Sequence, residues 1–174
     1  MQEAGFSAEI DENGNSFEEN ALIKARAVSH ILRKTVIADD SGLCVHALNG
    51  APGIYSARYA GQHGDDAGNN RKLLSEMEGV PETARDAVFV CAAAVVFPNG
   101  QEAVVRGEVP GVIGYEERGA DGFGYDPLFI CNESGLRYAE MTDSQKNEIS
   151  HRKRAFEQLK PILDSYFVSE VKQQ

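Results

Sequence analysis

Two aspartates stand side by side where the apolar run Val36-Ile37-Ala38 ends, and Ser41-Gly42 follows them. Like charges this close repel, and burying either one alone is costly, so a positive partner is expected beside them. Two readings fit the pair. It is a turn, with an aspartate bonding its own backbone and Ser41-Gly42 completing it. Or it is a set of hard oxygen ligands at a strand end, suited to Mg²⁺, which takes one or two carboxylates and leaves the rest of its shell to water and phosphate. An aspartyl-phosphate nucleophile of the D-x-D kind is not supported, because Ser41 occupies the place of the second aspartate. No G-x-S-x-G surrounds Ser41 to make a hydrolase triad.

Three further clusters carry usable chemistry. Glu12 lies in a loop ahead of a predicted helix, and Asn20 and Lys24, four apart, share one face of that helix. The stretch 119-GADGFGYDPLFI-130 is no dinucleotide fingerprint, since Pro127 and an apolar strand follow where a helix would be required. Gly122 and Gly124 let the backbone approach a ligand, and Phe123 and Tyr125 offer flat faces for stacking on a base; a tight loop with its aromatics in the core is the other reading. In 146-KNEISHRKR-154, Lys153 and Arg154 complement a helix C-terminus, while Lys146, His151 and Arg152 can donate to keto groups or phosphates.

The elements that must position these residues follow from pattern. Residues 6–10 alternate like a short strand. Ser16-Phe17-Glu18-Glu19 is a capping box that accounts for Glu19 and opens a helix to about Leu32, with Ala21, Ala25, Val28 and Leu32 on one face. Residues 35–39 and 43–48 read as two short strands, 51–64 as a Gly- and Tyr-rich loop, and 66–78 as a helix stopped by Gly79 and Pro81. The runs 86–97 and 101–113 make a hairpin through Pro98-Asn99-Gly100. Residues 128–131 form another strand, Thr142-Asp143-Ser144-Gln145 opens a helix to about Leu159, and Pro161 begins a last short one. Hairpins mixed with single helices predict an α/β fold with a mixed, elongated central sheet and flanking helices, in one domain over 1–174.

Composition narrows the class. A net charge of −10 argues against a nucleic-acid surface, which needs clustered cations. An anionic ligand remains possible if a divalent cation and a few local Lys or Arg neutralise it. No stretch approaches the about 20 apolar residues of a membrane span, and residues 1–15 show no secretory signal, so a cytoplasmic location is expected. Cys44, Cys91 and Cys131 stand apart within apolar segments and read as buried thiols. His30, His46, His63 and His151 show no zinc spacing.

Taken together and in order, 16-SFEENALIKA-25, 38-ADDSGL-43, 50-GAPGIYSARYAG-61, 122-GFGYDPLF-129, 139-AEM-141, 145-QKNEISHR-152 and 154-RA-155 resemble the inosine triphosphate pyrophosphatase family, the dITP/XTP pyrophosphatases. The resemblance runs from about Ala8 to Leu163. It implies hydrolysis of ITP, dITP and XTP to the monophosphate and pyrophosphate, with Mg²⁺ as cofactor and a purine nucleoside triphosphate as substrate. By motif position, Asp40 is the general base or a metal ligand, Glu12 a second metal ligand, Lys24 a phosphate partner and Ser41 a substrate contact. Phe123, Gly124, Tyr125 and Asp126 form the base pocket, closed by Lys146, His151 and Arg152. A homodimer is implied, with the hairpin 86–113 contributing, and no nucleic acid or membrane.

One departure stands out. The family opens with a strand, a triphosphate-holding loop of the form [ST]-x-N-x-x-K and a helix, and no such motif occurs in these 174 residues. The expectation is a chain lacking those elements, through a misplaced start or as a real short form; a catalytically impaired nucleotide-binding remnant is the alternative function. A Maf-type pyrophosphatase fits the SHR and FGYDP segments poorly, and an RNA-binding module has the wrong charge.

Overall fold

The computed structural model describes residues 10–171. In chain order the elements are α1 (Phe17–Leu32), β1 (Val36–Val45), α2 (Asp66–Glu76), β2 (Asp86–Val96), β3 (Glu102–Ile113), β4 (Phe129–Cys131), α3 (Asp143–Ile149) and α4 (His151–Val171), with short 3₁₀ turns between them. The strands form one antiparallel sheet in the order β1-β2-β3-β4. The expected strand over 6–10 lies, apart from Ile10, outside the described residues. Among the described residues no helix is long and apolar enough to cross a membrane.

Ser16 starts α1 as expected, its Oγ accepting the Glu19 N–H at 3.1 Å. The Glu19 carboxylate closes back on the Asn15 N–H at 2.6 Å, one residue ahead of the cap. Ala21, Ala25 and Val28 are buried, so α1 packs its small-residue face on the sheet. Leu32 at its end is only half-buried.

β1 departs from the sequence reading. It runs unbroken from Val36 to Val45 through Asp39-Asp40-Ser41-Gly42, so there is no turn at the acidic pair and no second strand over 43–48. Residues 46–48 instead form a 3₁₀ turn. Pairing to the long alanine run of β2 overrides the turn-like residue types: Asp39 lies opposite Ala93 and Asp40 opposite Ala92. Successive side chains in a strand point to opposite faces. Asp40 therefore shares the α1 face, where Val90, Ala92 and Ala94 pack with Phe17, Ala21 and Ala25. Asp39 shares the α4 face, where Cys91, Ala93 and Val95 pack with Ala155 and Leu159. A third cluster, built around Leu43, Phe89, Phe129 and Tyr138, lies beneath the aromatic loop.

The expected helix over 142–159 is two helices. Thr142 caps α3 with a full capping box to Gln145, but Ser150 is extended (φ −68°, ψ 151°), and its Oγ accepts the Lys153 N–H at 3.1 Å to open α4. A serine able to cap ends one helix and starts the next. Pro161 then lies inside α4 instead of beginning a new helix. α4 seats on β3 at Gly107, where an added Cβ would lie 2.3 Å from the His151 carbonyl oxygen and 2.4 Å from the Ala155 nitrogen.

Candidate active site

The acidic pair meets two different cations, one on each face of the sheet. Lys24 Nζ donates to Asp40 Oδ1 at 2.8 Å and to Glu12 Oε2 at 3.2 Å, so one ammonium gathers both carboxylates. Asn20, buried on the same helical face, donates to Asp40 Oδ2 at 3.3 Å and accepts the Gly14 N–H at 2.9 Å. It ties the Glu12 loop to the strand that carries Asp40. On the other face Arg152 Nε reaches Asp39 Oδ2 at 3.1 Å, and Ser41 Oγ donates to the same oxygen at 3.0 Å. Burial lifts the Asp40 carboxyl above the usual carboxylate range; Lys24 opposes this and the charge of Glu12 adds to it.

β1 is the edge strand of the described sheet, so side chains from both of its faces reach one cavity around that edge. The cavity, of about 800 Å³, is lined by Glu12, Lys24, Asp39, Asp40, Ser41, Arg58, His63 and Arg152 among others. The sequence reading gives no role to Arg58, although it lies within the quoted stretch 50–61, or to His63, because only the fold brings the loop 51–64 beside the acidic pair. No group of three or more His, Cys, Asp or Glu among the described residues could hold a metal. What the site offers is two carboxylates, Glu12 and Asp40, converging on one cationic position. That donor set fits Mg²⁺, which completes its shell with water and substrate phosphate.

A second cavity of about 190 Å³ adjoins the first and shares Ser41, Ala57 and Arg152 with it. Its walls include Phe89, Phe123, Gly124, Tyr125, Asp126 and His151. Here the sequence reading of 122–126 resolves both ways. Phe123 is 59% exposed and offers a free face, whereas Tyr125 is buried, its hydroxyl donating to the Ser56 carbonyl at 2.9 Å. Asp126 is buried, accepts the Phe123 N–H at 2.9 Å and pairs with Lys146. Burial pushes its carboxyl up against the pull of that lysine. Lys146 Nζ lies 4.3 Å from the centroid of the Phe123 ring. His151 stacks on Phe89 at 4.9 Å, and its Nδ1 is buried without a hydrogen-bond partner. Burial, with Arg152 and Lys146 nearby, depresses it to about 3, so the ring is neutral and one nitrogen can accept.

Every residue expected at the site lines these two cavities or, like Lys146, bonds directly to one that does. The sequence carries no local signal for two polar residues of α2 at the second cavity: Asp66, which lines it, and Asn70 beside it. They meet this site through Gly124, more than fifty residues away in sequence.

Residues 1–162 match the model of the Ham1 family. The match begins at the first residue and does not support the expected N-terminal deficit. The dITP/XTP pyrophosphatase of Bacillus subtilis is 48% identical over 165 residues, 95% of this chain and 83% of the relative. That of Listeria innocua is 55% identical over 155 residues, 89% of this chain and 76% of the relative. Among solved structures, the Staphylococcus aureus Ham1 protein superposes with a TM-score of 0.86 at 44% identity, covering 91% of this chain and 82% of that one. A Mycobacterium abscessus nucleoside-triphosphatase / dITP/XTP pyrophosphatase gives 0.80 at 45% identity, covering 94% and 83%. With the family model matching residues 1–162 and relatives about half identical over most of its length, this chain belongs to the Ham1 family.

Proposed function

We propose that the protein is a pyrophosphatase for non-standard purine nucleoside triphosphates, dITP, XTP and ITP, releasing the monophosphate and pyrophosphate. The observation that carries this reading is the junction of the two cavities at Ser41 and Arg152: acids and cations on one side, a stacking surface with neutral and cationic donors on the other. One nucleotide spans both, with its base against Phe123 and its phosphates beside Lys24 and Arg58.

Glu12 and Asp40 would hold Mg²⁺, which when bound would withdraw charge from the phosphoryl oxygens and acidify bound water. Asp40 orients the attacking water and takes its proton; burial raises its basicity in the direction such a base needs. The water oxygen bonds to phosphorus, the bridge between the α- and β-phosphates breaks, and pyrophosphate leaves with the bond electrons. Lys24 and Arg58 neutralise the phosphates. At the base end Lys146 and Arg152 would donate to a 6-keto oxygen, whereas adenine, with a 6-amino group there, meets them with a further donor. A homodimer and a cytoplasmic location belong to the same reading.

The test is pyrophosphate release from dITP, XTP and ATP, with Mg²⁺ or EDTA, by this chain and its Asp40→Asn variant. The expected result is Mg²⁺-dependent turnover favouring dITP and XTP, with the variant about 10²–10⁴-fold slower and equally stable. Turnover of ATP at the same rate, or an undiminished variant, would overturn the reading.

A further inference from the structure

The base cavity depends on a loop held by α2, whose Asp66 also lines the cavity. Resting on the reading of that cavity as the base site, we propose that Asp66 and Asn70 of α2 are positioning residues. They fix the two peptide groups that flank Gly124, and through them the Phe123 ring, so that nucleotide binding and purine choice depend on both.

Gly124 has φ +60°, and no atom lies within 4 Å of the Cβ that another residue would carry. Glycine there answers the backbone conformation and not crowding, and open space on that side leaves the Gly124 backbone free to turn unless something grips it. α2 grips both of its polar groups. Asp66 Oδ2 accepts the Gly124 N–H at 2.7 Å, and Asn70 Nδ2 donates to the Gly124 carbonyl at 3.0 Å. The two side chains are four residues apart, so a single helical face carries both halves of the grip.

Capping of α2 accounts for neither residue. The N-cap is Asp65, whose Oδ1 accepts the Gly68 N–H at 2.9 Å, which leaves Asp66 free of that task. Asn70 is 3% exposed, and its Oδ1 is buried without a hydrogen-bond partner. An unpaired buried carbonyl is destabilising, so an amide at this position is retained for its donor. The neighbouring Asn69 accepts the Ala60 N–H at 2.7 Å and so holds the loop 51–64, the opposite wall of the site, from the same turn. If the Gly124 backbone rotates, Phe123 swings away from Lys146 and the stacking surface is lost, while Asp40 and its partners are untouched.

Steady-state kinetics with dITP and dATP, together with amide hydrogen exchange at Gly124, test this. Asp66→Ala and Asn70→Ala should each raise KM for dITP about tenfold with kcat within about threefold, and lower the preference over dATP. The double variant should be little worse than either single one, because both hold the backbone of one residue. Asp66→Asn keeps an accepting oxygen and should restore the wild-type KM. In Asp66→Ala the Gly124 amide should exchange about tenfold faster while the amides of β2 keep their protection. Unchanged KM in both alanine variants, or unchanged Gly124 exchange, would overturn the proposal. So would a fall in kcat alone, or a general loss of protection, either of which marks a merely structural role. If the unaltered protein turned over neither dITP nor XTP, the functional reading would fail by that result, and Gly124 exchange would still decide the grip.

Discussion

Asp39 and Asp40 are tolerated side by side because a strand sends them to opposite faces, where each finds its own cation. Lys24 meets Asp40 and Arg152 meets Asp39, so removing either aspartate leaves the other's partner in place. His151 is strongly perturbed by burial, which keeps it neutral, with a pKa near 3 against an ordinary 6.5. Lys146 and Arg152 depress it and Asp39 only partly offsets them. The sign of the linkage follows. Below pH 6.5 the unfolded chain binds a proton that the folded one refuses until about pH 3, so stability present at neutral pH is lost as pH falls through that window. The slope from one proton approaches about 1.4 kcal/mol per pH unit. Urea unfolding between pH 7 and about pH 4.5 should therefore be less pH-dependent in His151→Gln than in the unaltered chain. Parallel curves would mean that His151 titrates normally.

Helices and strands were legible in proportion to how local their causes are. α1 was readable because Ser16 and the Ala21-Ala25-Val28 face are local signals, and the β2–β3 hairpin because Pro98-Asn99-Gly100 marks its turn. β1 was readable only as separate strands over 35–39 and 43–48, since Asp-Asp-Ser-Gly favours a turn and pairing with Ala92 and Ala93 is what makes the strand continuous. The break at Ser150 escaped for a similar reason: a serine inside a helical pattern shows its capping role only once α4 is seated on the sheet. At the site, the motif residues were legible through resemblance, while Asp66 and Asn70 were invisible because their partner is a distant peptide. The seating of α4 has its own consequence. Gly107→Ala would drive a methyl group into the α4 backbone beside His151, costing about 1–3 kcal/mol or more of stability. Nucleotide affinity should fall with it, because Arg152 rides on the same turn. Denaturant unfolding that showed no loss would contradict the close approach of α4 to β3.

The molecule as a whole is acidic, at −10, yet is read as binding a polyanion. The long-range field therefore opposes the substrate, and binding depends on local cations and on metal carried with the phosphates. Lys24, Arg58 and Arg152 supply the local charge at one cavity, from three segments that meet only in the fold. The base cavity adjoins them across the edge of β1, so cleavage between the α- and β-phosphates is a statement about how far the acids lie from the aromatic loop. Identification of the products of XTP turnover by this chain tests that statement most directly. The account predicts xanthosine monophosphate and pyrophosphate in equal amounts, with no diphosphate intermediate. Release of orthophosphate with the diphosphate would place the cleaved bond one phosphate further out and contradict the site as described.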